Sequence, residues 1–164
     1  MELLIVRHAI ARERNARRWP DDAARPLSPQ GAGRARKAAA GLKALGPRPL
    51  RVLVSPLVRA RETAAILTRH AGWPAASECP ELAPGADPGA LLAAIRHAGT
   101  TRVAVVGHEP DLGRLVGACL GGAPPQGWQL RKMGAALVTF AGTAQAGRGR
   151  LEWLVPARIL RAAR

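Results

Sequence analysis

The chain has 164 residues and a net charge of +14, from 25 basic against 11 acidic side chains; a domain of this size buries ~68–70% of its unfolded surface, enough for a core without staples. Cys79 and Cys119 match no zinc or redox spacing and sit among small or apolar neighbours, which predicts buried, reduced thiols. No apolar run approaches the ~20 residues of a bilayer span, and no basic, cleavable leader precedes the first strand-like segment.

The expectation is therefore one cytoplasmic domain over residues 1–164 with no membrane contact. The charge invites a polyanionic partner. Yet 22 of the 25 basic residues are arginine in an Ala-, Gly- and Pro-rich chain, equally the mark of GC-rich coding. With no Tyr, one Phe and four Trp, stacking platforms are scarce, so nucleic acid is not the expected main partner.

In chain order, residues 2–6 (ELLIV) form a leucine- and β-branched-rich run without polar alternation, the pattern of a strand buried on both faces. Ser28-Pro29 then supplies an N-cap and a first-position proline for a helix that Gly46-Pro47 stops. A second buried strand follows at 51–54 (RVLV). Ser55-Pro56 reads as a repeat of the capping device, opening a helix that ends at Gly72. Residues 73–87 read as a loop ending in Asp87, the cap of a third helix over Pro88–His97. A strand at 102–106 (RVAVV), a helix from Pro110 to about Leu120 and strands near 135–141 and 150–155 complete the order. The tail, 156–164, reads as a short basic helix or a frayed end. Strands alternating with helices predict an α/β fold, a three-layer α/β/α sandwich around a mostly parallel sheet.

In such sheets ligands bind beyond the carboxyl ends of the strands, where loops converge and helix N-termini point positive ends at the site. Here the first strand ends in Arg7-His8. The second leads through Ser55 to Arg59 in the first turn of its helix. The third ends in Gly107-His108-Glu109. A single strand-end histidine is more often structural, but two arginines and two histidines converging on one edge suit a phosphoryl group. Guanidinium forks match its oxygens, and an imidazole can attack phosphorus.

The motifs LLIVRHA, SPLVRARETA and VVGHEP, in this order from Leu3 to about Leu115, resemble the histidine phosphatase superfamily, which has the phosphoglycerate mutase-like fold. RPLSPQG at 25–31 and the short length are most similar to its phosphohistidine phosphatases of the SixA type. The resemblance implies that His8 is the nucleophile of a metal-independent, cofactor-free phosphatase, forming a phosphohistidine that water hydrolyses. Arg7, Arg59 and His108 would bind the phosphoryl group. The partner implied is a phosphorylated substrate such as a phosphohistidine-bearing signalling protein. Glu81 is the favoured general acid and Glu109 the second choice. Ala9 stands where the family usually has glycine, and a left-handed backbone there would strain it by ~1 kcal/mol or more.

Arg25 is a weaker candidate substrate contact, with a surface ion pair as the plain alternative. His70 and His97 sit at helix C-terminal ends and read as structural. Trp19, Trp73, Trp128 and Trp153 read as covers of the core. The run Arg12, Arg14, Arg17 and Arg18 follows His8 and either rims the site or is solvated. Two other functions compete: a small-molecule phosphomonoesterase or mutase, and a catalytically idle polyanion-binding domain.

Overall fold

A computed structural model describes residues 1–123 and 128–163. Strands β1 (Glu2–Arg7), β2 (Arg51–Val54), β3 (Ala76–Glu78), β4 (Arg102–Gly107), β5 (Ala135–Phe140) and β6 (Gly149–Val155) form one sheet in the order β3-β2-β4-β1-β5-β6. The pairs β3/β2, β2/β4 and β4/β1 are parallel, while β5 and β6 complete the sheet antiparallel. The sandwich and its mostly parallel sheet thus agree with the sequence reading.

Burial on both faces explains the unbroken apolar runs. Leu4 and Val6 of β1 face a core shared with helices α1 (Pro29–Leu45), α2 (Val58–Ala71) and α5 (Ala157–Ala162). Leu3 and Ile5 face the opposite core, closed by α3 (Pro88–His97) and α4 (Asp111–Leu120). Leu42, Leu67 and Leu160 are fully buried on the first side, and Ile95, Leu112 and Leu115 on the second. Each contributes about 1.5–3 kcal/mol through burial. None of the described helices is long and apolar enough to cross a membrane.

The caps set the helix starts. Ser28 Oγ accepts from Gly31 N at 2.9 Å with Pro29 in the first turn, and Asp87 accepts from Ala90 N at 2.8 Å, as the sequence suggests. The tail forms α5, seated so closely on α1 that a Cβ at Gly41 would collide with the Leu160 carbonyl. Its last residue, Arg164, lies outside the described residues. Cys79 and Cys119 are buried free thiols, and burial pushes them up to about 11 and about 12 respectively.

Three readings need correction. Ser55 does not cap α2: the helix starts at Val58 after an uncapped Leu57, because the Ser55 hydroxyl faces His108 Nε2 at 2.7 Å. Residues 76–78 are a strand rather than loop; three residues without a β-branched side chain give no local signal, and pairing with Val52–Val54 creates the strand. Trp19 covers neither core: it lies partly exposed, with the Arg18 guanidinium 5.7 Å from its ring. Trp73 is buried, and Trp128 and Trp153 pack at the core margins.

Candidate active site

Register brings the strand ends level. Arg7 pairs with Gly107 and Val54 with Val106, so the next residues, His8, Ser55 and His108, emerge side by side. His8 N donates to Gly107 O at 3.0 Å and Ser55 N to Val106 O at 3.0 Å. The His8 and His108 rings lie 4.9 Å apart and tilted by 54°, and both residues are buried.

A single acceptor fixes the tautomer of His8. Its Nδ1 lies 2.7 Å from the Ala9 carbonyl, which only accepts, so Nδ1 holds the proton and Nε2 keeps its lone pair. The Lys132 ammonium donates to that lone pair at 2.9 Å. Burial, followed by the charges of Lys132, His108 and Arg59, drives the His8 pKa down to about 2. Burial and the Arg59 charge lower His108 to about 3, and its Nδ1 has no partner among the described residues. Both imidazoles are thus neutral at physiological pH, as a nitrogen nucleophile must be. Both unfolded histidines protonate near 6.5 while the folded ones do not. Stability should therefore fall steadily as pH drops from 6.5 towards 3; a melting temperature unchanged between pH 6.5 and 4.5 would contradict this.

Two guanidinium groups, that of Arg59 buried and that of Arg7 half-buried, flank the imidazoles. Arg59 Nη1 donates to Asp22 O at 2.8 Å and its Nη2 lies 3.2 Å from Asp22 Oδ2. Arg7 Nη1 donates to Leu130 O at 2.7 Å. The Nε atoms of both are buried without partners among the described residues, so each keeps a donor in reserve. Thr63 Oγ1 donates to Arg59 O at 2.7 Å and accepts from Ala9 N at 3.0 Å, tying the loop after β1 to α2. Ala9 does not adopt a positive φ, so the strain considered for a non-glycine there does not arise.

Lys132 is the residue that the sequence reading missed. In the segment Leu130–Gly134, Leu130 N donates to Glu109 Oε1 at 2.7 Å, Met133 N to Arg7 O at 3.1 Å, and Arg7 N to Gly134 O at 3.1 Å. Met133 turns the chain into β5 at φ 59, the one positive φ outside glycine among the described residues, which costs roughly 1–2 kcal/mol. Burial and the nearby Arg7 and Arg59 charges lower the Lys132 pKa to about 8.

The carboxylates stand differently. Glu81, on a one-turn 3-10 helix, accepts from Cys79 Sγ at 3.1 Å and lines a groove with Arg51, Cys79 and His97 on the α3 side of the sheet. It is not brought against His8, and its hydrogen bonds lower its pKa, the wrong direction for a proton donor. Glu109 is raised by burial, but its oxygens accept from Leu130 N and from Gly113 N at 3.2 Å, bracing the segment that holds Arg7. Arg25 places Nε 2.8 Å from Asp22 Oδ1 and donates Nη1 to Arg12 O, 2.6 Å away. It steadies the carboxylate that steadies Arg59.

A neutral nitrogen lone pair ringed by Arg7, Arg59 and Lys132 can bind and attack a phosphoryl group. The family profile "Histidine phosphatase superfamily (branch 1)" matches residues 3–83. The chain is 36% identical to the phosphohistidine phosphatase SixA of Escherichia coli over 130 residues, 76% of this chain and 78% of that protein. It is also 36% identical over 137 residues to an uncharacterised protein of Picosynechococcus sp., covering 82% of each. A solved structure of the protein histidine phosphatase SixA complexed with tungstate superposes with a TM-score of 0.82 at 32% identity, over 98% of this chain and 99% of that one. A phosphoserine phosphatase from Entamoeba histolytica, 16% identical with a TM-score of 0.72 over 97% and 98% of the chains, shares the fold. On this sequence similarity and this fold, the chain belongs to the histidine phosphatase superfamily.

Proposed function

We propose that this protein is a phosphohistidine phosphatase that carries the phosphoryl group on His8. The observation that carries the reading is the His8 Nε2 lone pair, held neutral by burial and surrounded by Arg7, Arg59 and Lys132. In the first step the Nε2–phosphorus bond forms as the bond from phosphorus to the substrate's imidazole nitrogen breaks, and that imidazole leaves as a neutral ring because its other nitrogen carries a proton taken from solvent. Arg7, Arg59 and His108 hold the phosphoryl oxygens. Lys132 leaves the lone pair as phosphorus takes its place and moves to one of those oxygens. In the second step water attacks phosphorus, the P–Nε2 bond breaks, inorganic phosphate departs and the water proton passes to solvent.

Two things support a phosphohistidine rather than an alkyl phosphate as substrate. The sequence relative named above is a phosphohistidine phosphatase. In this site neither Glu81 nor Glu109 offers a free carboxyl to the imidazoles, and imidazole leaves with far less help from an acid than an alkoxide does.

Incubation with a phosphohistidine peptide in EDTA should release phosphate and leave acid-labile, alkali-stable phosphate on the protein. Hydrolysis that requires added metal, or a label stable to acid, would overturn the reading. A higher kcat/KM for sugar or glycerate phosphates than for the peptide would return the assignment to a small-molecule phosphatase. Binding of polyanions without hydrolysis would mark an idle domain.

A further inference from the structure

Beside the site lies a groove of about 760 Å³ built from four separate stretches of chain. Helix α1 gives Arg34, the segment before β5 gives Arg131 and Lys132, and α5 gives Arg158 and Arg161; Arg7 stands in its wall. Among the described residues, six of its lining side chains are cationic, none is a carboxylate, and its apolar lining is limited to Ile10, Pro156 and Ala157. The Arg12–Arg18 run differs: Glu13 lies within it, and Arg14 is 3.6 Å from Asp22. The backbone that carries the arginines of α5 is also fixed in place, because the helix is pressed onto α1 at Gly41 and anchored by the fully buried Leu160. Cations set on a rigid backbone bind anions with less loss of conformational freedom.

We infer that this groove docks an acidic segment flanking the phosphohistidine of a protein substrate, with Arg34, Arg131, Arg158 and Arg161 as its contacts. The inference rests on the phosphohistidine reading above. Arg7 and Lys132 belong to both the groove and the phosphoryl site, so one partner engages both at once. The absence of aromatic walls around the groove and the exposure of Arg131 and Arg158 suit a protein surface better than an enclosed metabolite. Unneutralised charge of this kind raises association rates and selects partners by sign.

The test compares two synthetic phosphohistidine peptides, one flanked by glutamates and the other by glutamines at the same positions, with an aryl phosphate as a control. The wild-type protein should cleave the glutamate peptide with a kcat/KM about 10-fold higher at low salt, a preference that shrinks towards none at ~0.5 M salt. The combined variant Arg34→Gln, Arg131→Gln, Arg158→Gln and Arg161→Gln should lose that preference while keeping its rate on the aryl phosphate, which also reports that it folds. A variant with Arg12, Arg14, Arg17 and Arg18 changed to glutamine should keep the preference. Equal cleavage of both peptides by the wild type, or a preference that survives in the groove variant, overturns the docking alone. Cleavage of the aryl phosphate but of neither peptide overturns the phosphohistidine reading itself and the docking with it.

Discussion

His8→Ala is expected to lower kcat on an aryl phosphate by at least about 10³-fold and to leave no acid-labile phosphate on the protein, since the variant lacks the nitrogen proposed to form the covalent intermediate. His108 does not substitute: its Nε2 faces Ser55 Oγ at 2.7 Å, and its ring centroid stands 4.9 Å from that of His8. Oxyanion affinity should largely survive, because Arg7, Arg59 and Lys132 remain. The fold should survive as well, since the His8 ring gives up two hydrogen bonds, one to the Ala9 carbonyl and one from Lys132 Nζ, and is held neutral at a cost that alanine avoids. Radiolabelling with a phosphohistidine donor, alongside a tungstate titration, checks both halves. A variant that still acquires acid-labile label would move the nucleophile elsewhere.

Lys132→Met should have the second largest effect, and in two opposite directions. Removing a half-buried cation from the phosphoryl site should lower kcat/KM by about 10²-fold at pH 7, the scale of losing one preorganised donor to developing negative charge. It should also abolish the alkaline limb of the wild-type profile, which falls as Lys132 loses its proton through about pH 8 in the free enzyme. Thermal stability should move the other way. The folded-state value of about 8 lies below the unfolded 10.5, so below pH 8 the native protein bears the full penalty of a buried charge. Between pH 8 and 10.5 the native lysine is neutral while the unfolded one is charged, and the penalty relaxes with rising pH. The methionine variant should therefore melt higher than the wild type at pH 7, and the gap should narrow towards pH 10. An unchanged kcat/KM would remove Lys132 from the mechanism, and a surviving alkaline limb would assign that titration to another group.

The difference between these two residues in the sequence is instructive. Arg7, His8 and His108 are visible because parallel strands announce their carboxyl ends: an apolar run stops and polar chemistry begins at one edge of the sheet. Lys132 precedes a strand and so appears to lie at the opposite edge. It reaches His8 because β5 runs antiparallel beside β1, which puts the start of β5 level with the end of β1. That orientation is a property of the sheet order, which no local pattern encodes. The same holds for Asp22, whose pairing with Arg59 spans 37 positions, and for β3, which exists only because β2 offers an open edge. Ser55 misleads for a related reason, since Ser-Pro before an apolar helix is a sound capping signal until a buried histidine competes for the hydroxyl. Helices α1 and α3 are legible to the residue because their caps are local and nothing in the tertiary structure claims the side chains that make them.

The two thiols, pushed up to about 11 and about 12 by burial, bear on the company this chemistry keeps. Peroxide and alkylating agents react with thiolate, and at neutral pH this chain offers them almost none, while the group proposed to carry the phosphoryl is a ring nitrogen and not a thiol. Phosphate removal built this way is decoupled from oxidative conditions that would silence a thiol-dependent hydrolase, so a signal erased by such a protein goes on being erased when the surroundings turn oxidising.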